Sequence, residues 1–262
     1  MPLDKITKLG RYFLAVPILV FGIQHFLYAE FIVHLVPTWM PGRLFWTYFA
    51  GAALFASGLG IIINVLPRLA ATLLGLMIST WVVVLHIPRV FQFPGDSEFI
   101  NVFDAIFMLS GAYLLSMSLP GNSYLPKIAG WGAKLSPYLI ALSLTVFGIE
   151  NFLHKKLVFI VGAAPHELPG EVFWTYCTSI IFIAAAFAII FSKSVGMTAS
   201  LLGVYIFFIA VIFYVPLLWI NIYDAHGWAT FLKGIAMSGS AFILSRTTSK
   251  ERATVLKESI PI

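Results

Sequence analysis

Eight stretches of this chain are each about as long and as apolar as a helix must be to cross a lipid bilayer, whose core needs roughly 20 apolar residues. They run from about Tyr12 to Tyr28, Leu44 to Leu66, Leu69 to Ile87, Phe99 to Leu119, Leu135 to Leu153, Val172 to Ser192, Ser194 to Tyr223 and Gly227 to Leu244. The composition agrees. Apolar residues make up 60% of the chain and charged residues 10%, against about 45–50% and about 25% in a soluble domain. So few charges cannot cover a water-facing surface, and 24 Phe and 7 Trp exclude disorder. The single cysteine, Cys177, rules out an intrachain disulfide, a CxxC pair and a Cys-based metal centre.

The chain is also duplicated. Val20-Phe-Gly-Ile-Gln-His-Phe26 returns as Val146-Phe-Gly-Ile-Glu-Asn-Phe152, and Phe45-Trp-Thr-Tyr48 as Phe173-Trp-Thr-Tyr176. Pro-Gly precedes both tetrapeptides, at Pro41-Gly42 and Pro169-Gly170. From there an offset of 128 pairs Pro37 with Pro165, Gly75 with Gly203, Pro88 with Pro216 and Gly111 with Gly239. The first span matches an internal one, so it reads as part of the fold and not as a cleaved signal. Four spans per copy is an even number, so both copies insert the same way round. The expected fold is therefore all-α: a polytopic membrane protein with eight transmembrane helices, as two parallel four-helix repeats related by a pseudo-two-fold axis along the membrane normal. Its parts are a first repeat (1–119), a cytoplasmic linker (120–136), a second repeat (137–245) and a cytoplasmic tail (246–262).

Charge sets the expected orientation. Eleven basic residues, among them Lys5, Lys8, Arg11, Arg68, Lys127 and Lys193, fall on the side of the termini. Only Arg43, Arg89, Lys155 and Lys156 fall opposite. By the positive-inside rule both termini are expected in the cytoplasm. The net charge of +5 then reads as membrane orientation, with no nucleic acid as partner. The long apolar outer connections, Glu30 to Phe45 and Lys155 to Val172, read either as loops packed on the bundle or as lids over an outward cavity.

Ionisable groups inside a span are costly and usually face the bundle interior. Here they are few: Gln24 and His25 on the first span, His86 on the third beside Pro88 and Arg89, and Asp104 on the fourth. The second copy has Glu150 and Asn151, Tyr214 in place of His86, and Lys233. Each bundle is expected to hold one internal pair: His25 or His86 with Asp104, and Glu150 with Lys233 as a structural ion pair. Gln24, His25, Trp39, His86, Arg89 and Asp104 form the expected ligand site, with Trp39 in the connection above. Two histidines could ligate haem, or with Asp104 a metal. Nothing in the spacing demands either, and no metal site is expected.

Gly22-Ile-Gln-His25-Phe26, Val36-Pro-x-Trp-x-Pro41, Phe45-Trp-x-Tyr48 with Gly51, and Leu85-His-x-Pro88 resemble the motifs of the DoxX-like family of small bacterial four-helix membrane proteins. The resemblance covers about 10–118 and, more weakly, 137–245. It implies a membrane subunit of a redox system, since one member is similar to a membrane subunit of thiosulfate:quinone oxidoreductase. A quinone is then the implied ligand, and a periplasmic or membrane oxidoreductase the implied partner beside the lipid bilayer. No motif points to catalysis by this chain alone. A membrane scaffold without a small ligand, and a small-solute transporter, are the alternative readings. Where the second copy carries Asn151 and Tyr214, only the first copy retains the histidines.

Overall fold

The computed structural model describes residues 3–92, 96–119, 125–154, 170–192 and 194–258, and all regular structure among them is helical. The long helices are α1 (Leu3–Leu27), α3 (Arg43–Ile63), α4 (Pro67–Trp81), α6 (Asp96–Ser118), α7 (Pro126–His154), α8 (Glu171–Phe191), α9 (Val195–Ile220) and α10 (Ala225–Glu258). Between α1 and α3 lies the short α2 (Ala29–Ile32), followed by a 3-10 turn, Val33–Leu35. A π turn, Val82–His86, joins α4 to α5 (Ile87–Gln92) without a break. Seven of these helices or helix runs are long and apolar enough to cross a membrane, which makes this a multi-pass membrane protein.

The eighth expected span, Gly227 to Leu244, lies on α10, which does not reach the same apolarity. Its packing accounts for this. Thr230, Ser238, Ser240 and Ser245 are buried there among neighbouring helices, so this helix meets protein more than lipid. Two boundaries also differ from expectation. The 120–136 linker is helical from Pro126 onward, because Gly132 lies flat against the Tyr113 ring and Ser136 Oγ donates to the Ser110 carbonyl at 3.1 Å. The tail from 246 continues α10 to Glu258.

Each long helix packs on the next around a closed ring, in the order α1, α3, α4, α6, α7, α8, α9, α10 and back to α1. Across the middle α6 touches α10. In α6, 72% of the most apolar window is buried, against 33–47% in the other six candidate spans, so α6 is central. Close approach depends on glycine. A Cβ at Gly22 would sit 2.5 Å from the Phe55 backbone nitrogen, one at Gly239 2.6 Å from that of Leu14, and one at Gly111 would collide with Ser240. Small residues of this kind let apolar helices associate where no hydrophobic difference from lipid drives them.

Repeated residues behave alike in both halves. Gly42 and Gly170 both take left-handed backbone (φ 66° and 75°) at the starts of α3 and α8. Each carbonyl then accepts from the tryptophan four residues on, Trp46 or Trp174. Phe26 stacks on Tyr48 with ring centroids 5.6 Å apart, and Phe152 on Tyr176 at 5.4 Å.

Candidate functional site

The glycines that draw α3 onto α1, and the seating of Gly75 against the Tyr113 ring that draws α4 onto α6, leave a cleft between α3 and α4. It encloses a cavity of about 650 Å³, within the range of small-molecule sites. Pro37 and Met40 of the connection cover one end, His25, Trp81 and His86 line that same end, and Ser57 and Leu73 lie toward the other. Among the described residues no Lys, Arg, Asp or Glu lines it; its polar groups there are two imidazoles, the Trp46 and Trp81 indoles and the hydroxyls of Thr47, Ser57 and Thr80.

Local chemistry sets the two histidines. His25 Nδ1 lies 2.7 Å from the Phe21 carbonyl oxygen, one turn back on α1. A carbonyl only accepts, so Nδ1 carries the proton in that contact, and neutral His25 meets a ligand through the Nε2 lone pair. The ring is stacked on Trp81 at 6.3 Å. His86 closes the π turn, in which the Ile87 N–H reaches back five residues to the Val82 carbonyl. Pro88 explains the irregularity: it has no N–H, and its ring crowds the carbonyl four residues earlier. Single π turns of this sort recur at functional sites. The matching Pro216 sits within an uninterrupted α9, so the distortion belongs to the copy that bears the histidine. Among the described residues, His86 Nδ1 is buried without a hydrogen-bond partner.

The other expected residues go elsewhere. Asp104 is 2% exposed and faces α10, where its Oδ2 accepts from Lys233 Nζ at 2.7 Å. Lys233 also donates to Asn101 Oδ1 at 3.2 Å. Neither His25 nor His86 pairs with Asp104, and Glu150 does not pair with Lys233. Glu150 instead lies 3.1 Å from His154 on its own helix. The reason is that α6 turns its polar face to α10 across the centre of the ring. The buried Asp104 and Lys233 are therefore compensated between the halves, while Arg89–Glu98 and Glu150–His154 pair within their own halves. Arg89 is held by Glu98 through two contacts, of 2.6 and 3.1 Å, and also donates to the His34 carbonyl. Gln24 does not line the cavity. Trp39 is 66% exposed, and its neighbours Pro37 and Met40 cover the opening in its stead.

His86 thus stands between the apolar cavity and a polar cluster, within electrostatic reach of Glu98, Lys233 and Arg89. Tyr214, its counterpart in the second copy, lies within reach of Asp104 from the other side. Tyr214 Oη and Asp104 Oδ1 are both buried without a hydrogen-bond partner among the described residues.

Sequence reasoning missed Trp81, Trp46 and Asn101. Asn101 stands three residues before Asp104, hence on the same helix face, a signal that was available. Among the described residues no three His, Cys, Asp or Glu side chains converge as a metal site needs. His166 and the second connection, from Lys155 to Pro169, lie outside the described residues. No family model matches the chain, and no curated protein or solved structure matches it.

Proposed function

We propose that this chain is a quinone-binding membrane subunit of a redox system, with its ligand held in the cavity between α3 and α4. The observation that carries the reading is a chargeless apolar cavity with two imidazoles at one end. A quinone ring fits that chemistry. It is flat, it stacks beside Trp81 as His25 does, and its two oxygens need few, well-placed hydrogen-bonding groups. A quinol hydroxyl donates to His25 Nε2, and a quinone carbonyl accepts an N–H from His86. The chain binds and orients; electron transfer belongs to an oxidoreductase partner, since no flavin, haem-c or thiol motif is present.

The wider reading places eight spans in the bacterial inner membrane as two parallel repeats, both termini cytoplasmic, in the DoxX-like family. Two features support the repeat. Exchanging α1 with α7, α3 with α8, α4 with α9 and α6 with α10 turns every contact of the ring into another contact of the ring. The paired α6 and α10 meet each other at its centre, where a pseudo-two-fold axis would run. The basic residues on the side of the termini support the orientation.

The test is to purify the protein in detergent from a quinone-containing membrane and extract its small molecules for mass spectrometry. Co-purified quinone is expected, reduced at least fivefold in His86→Phe. A preparation free of quinone that also binds none on addition favours a scaffold. A non-quinone solute that instead accumulates in vesicles favours transport.

A further inference from the structure

The shape of the cavity says more than its polar end. Its lining follows one face of α3 from Trp46 to Ser57 and one face of α4 and the π turn from Leu73 to His86. At 1.5 Å per residue each wall is roughly 16–20 Å long, parallel to the helices. Only one end carries imidazole. The remainder is apolar and opens sideways between the two helices, where Phe49 is 55% and Leu73 44% exposed. In a membrane that side faces acyl chains.

The second half shows that this groove is not an accident of the repeat. The offset of 128 places Thr178 at the position of Ala50, Tyr205 at that of Met77, Ile181 at that of Ala53 and Phe208 at that of Thr80. The Tyr205 and Thr178 hydroxyls are 2.7 Å apart and bridge α8 to α9. That hydrogen bond joins α8 to α9 at the level where Ala50 and Met77 line the groove between α3 and α4, while Ile181 and Phe208 stay 37% and 54% exposed.

We infer that the ligand of this site is a chain-bearing lipid-soluble quinone, whose ring lies at the His25–His86 end and whose hydrocarbon chain lies in the α3/α4 groove, entered sideways from the bilayer. The inference rests on the quinone reading above and adds to it the chain and the route. Among the described residues no cationic side chain faces the cavity, which favours an uncharged headgroup over a phosphodiester. In the bilayer the chain is already out of water, so its share of the affinity comes from packing against the groove walls and not from a further hydrophobic transfer.

The experiment compares two probes on the full chain in nanodiscs, by quenching of tryptophan fluorescence: a dimethoxy-methyl-benzoquinone with a decyl chain, and its chain-free parent. With each probe's concentration taken within the lipid, the wild type should still bind the decyl compound more tightly. Ala50→Thr with Met77→Tyr installs the bridge of the second half, a pairing this fold already accommodates. It should cost the decyl compound at least tenfold and change the chain-free one less than twofold. Ala56→Trp, toward the far end of the groove, should do the same if the bridge disturbs folding. Equal wild-type affinities, or equal losses for both probes, overturn the groove while leaving the quinone site standing. No binding of either probe overturns both. A co-purified phospholipid that disappears in the bridged variant makes the groove a lipid site and overturns the quinone as its occupant.

Discussion

Lys233 Nζ lies 2.7 Å from Asp104 Oδ2, joining α10 to α6 across 129 residues of sequence. Asp104 is 2% exposed, so its charge depends on this partner. Removing one member of a buried ion pair costs about 3–5 kcal/mol, because the other is left uncompensated. Lys233→Ala should therefore lower the thermal unfolding temperature of the detergent-solubilised protein sharply, and Asp104→Ala combined with it should restore most of the loss. Glu150→Ala should cost less than Lys233→Ala, because its partner His154 lies one turn away on the same helix and is 37% exposed. A double mutant no more stable than Lys233→Ala would refute the pairing.

Glycines make graded predictions. At Gly22 an added methyl meets the Phe55 backbone nitrogen at 2.5 Å, and at Gly58 that of Leu19 at 2.6 Å. Backbone cannot step aside as a side-chain tip can. Gly22→Ala and Gly58→Ala should each destabilise by about 1–3 kcal/mol, as overpacked sites do. Gly130 has nothing within 4 Å, so Gly130→Ala should be neutral or stabilising by up to about 1 kcal/mol, from helix propensity. Thermal unfolding of the three variants checks the order.

Pro88 and Pro216 occupy matched positions, yet only the first adjoins a π turn. Pro88→Ala restores an amide and removes the crowding, so the run can return to regular α-helix and turn His86 by about one residue, or 100°. Quinone affinity should fall about tenfold with little change in unfolding temperature. Pro216→Ala should leave affinity unchanged.

Arg89 ties the end of α5 to α6 through Glu98 and to the connection through the His34 carbonyl. Arg89→Met should loosen the cover of the cavity. Protease cleavage between residues 28 and 42 should become at least fivefold faster, while Arg43→Lys, whose own tie is one contact to the Val33 carbonyl at 2.7 Å, should have a smaller effect.

The membrane class, the helix positions and the duplication could be read from the chain, because apolar length and repeated motifs are local properties. His25 and His86 were also legible as a pair, since each sits near one end of its own span. What failed was the assignment of partners. Spacing along a helix tells which face a residue occupies but not which helix faces it, and the pairing of Lys233 with Asp104 depends on α6 and α10 meeting at the centre. Trp39 failed for a related reason: the 3-10 turn at Val33–Leu35 redirects the connection, so Pro37 and Met40 reach the opening. The groove was hidden because a void depends on two helices at once, and Ala50, Ala53 and Ala56 of α3 look like ordinary packing until α4 is known to stand across from them.

The lysine of α10 also bears on how the protein is made. On the eight-span reading, a helix with a lone ammonium partitions poorly into hydrocarbon, at a cost of about 2.5–3.5 kcal/mol near its middle. Its aspartate is synthesised far earlier, on α6. Neutralisation of either charge therefore waits on the last helix, so a chain truncated before α10 leaves Asp104 without its ammonium partner.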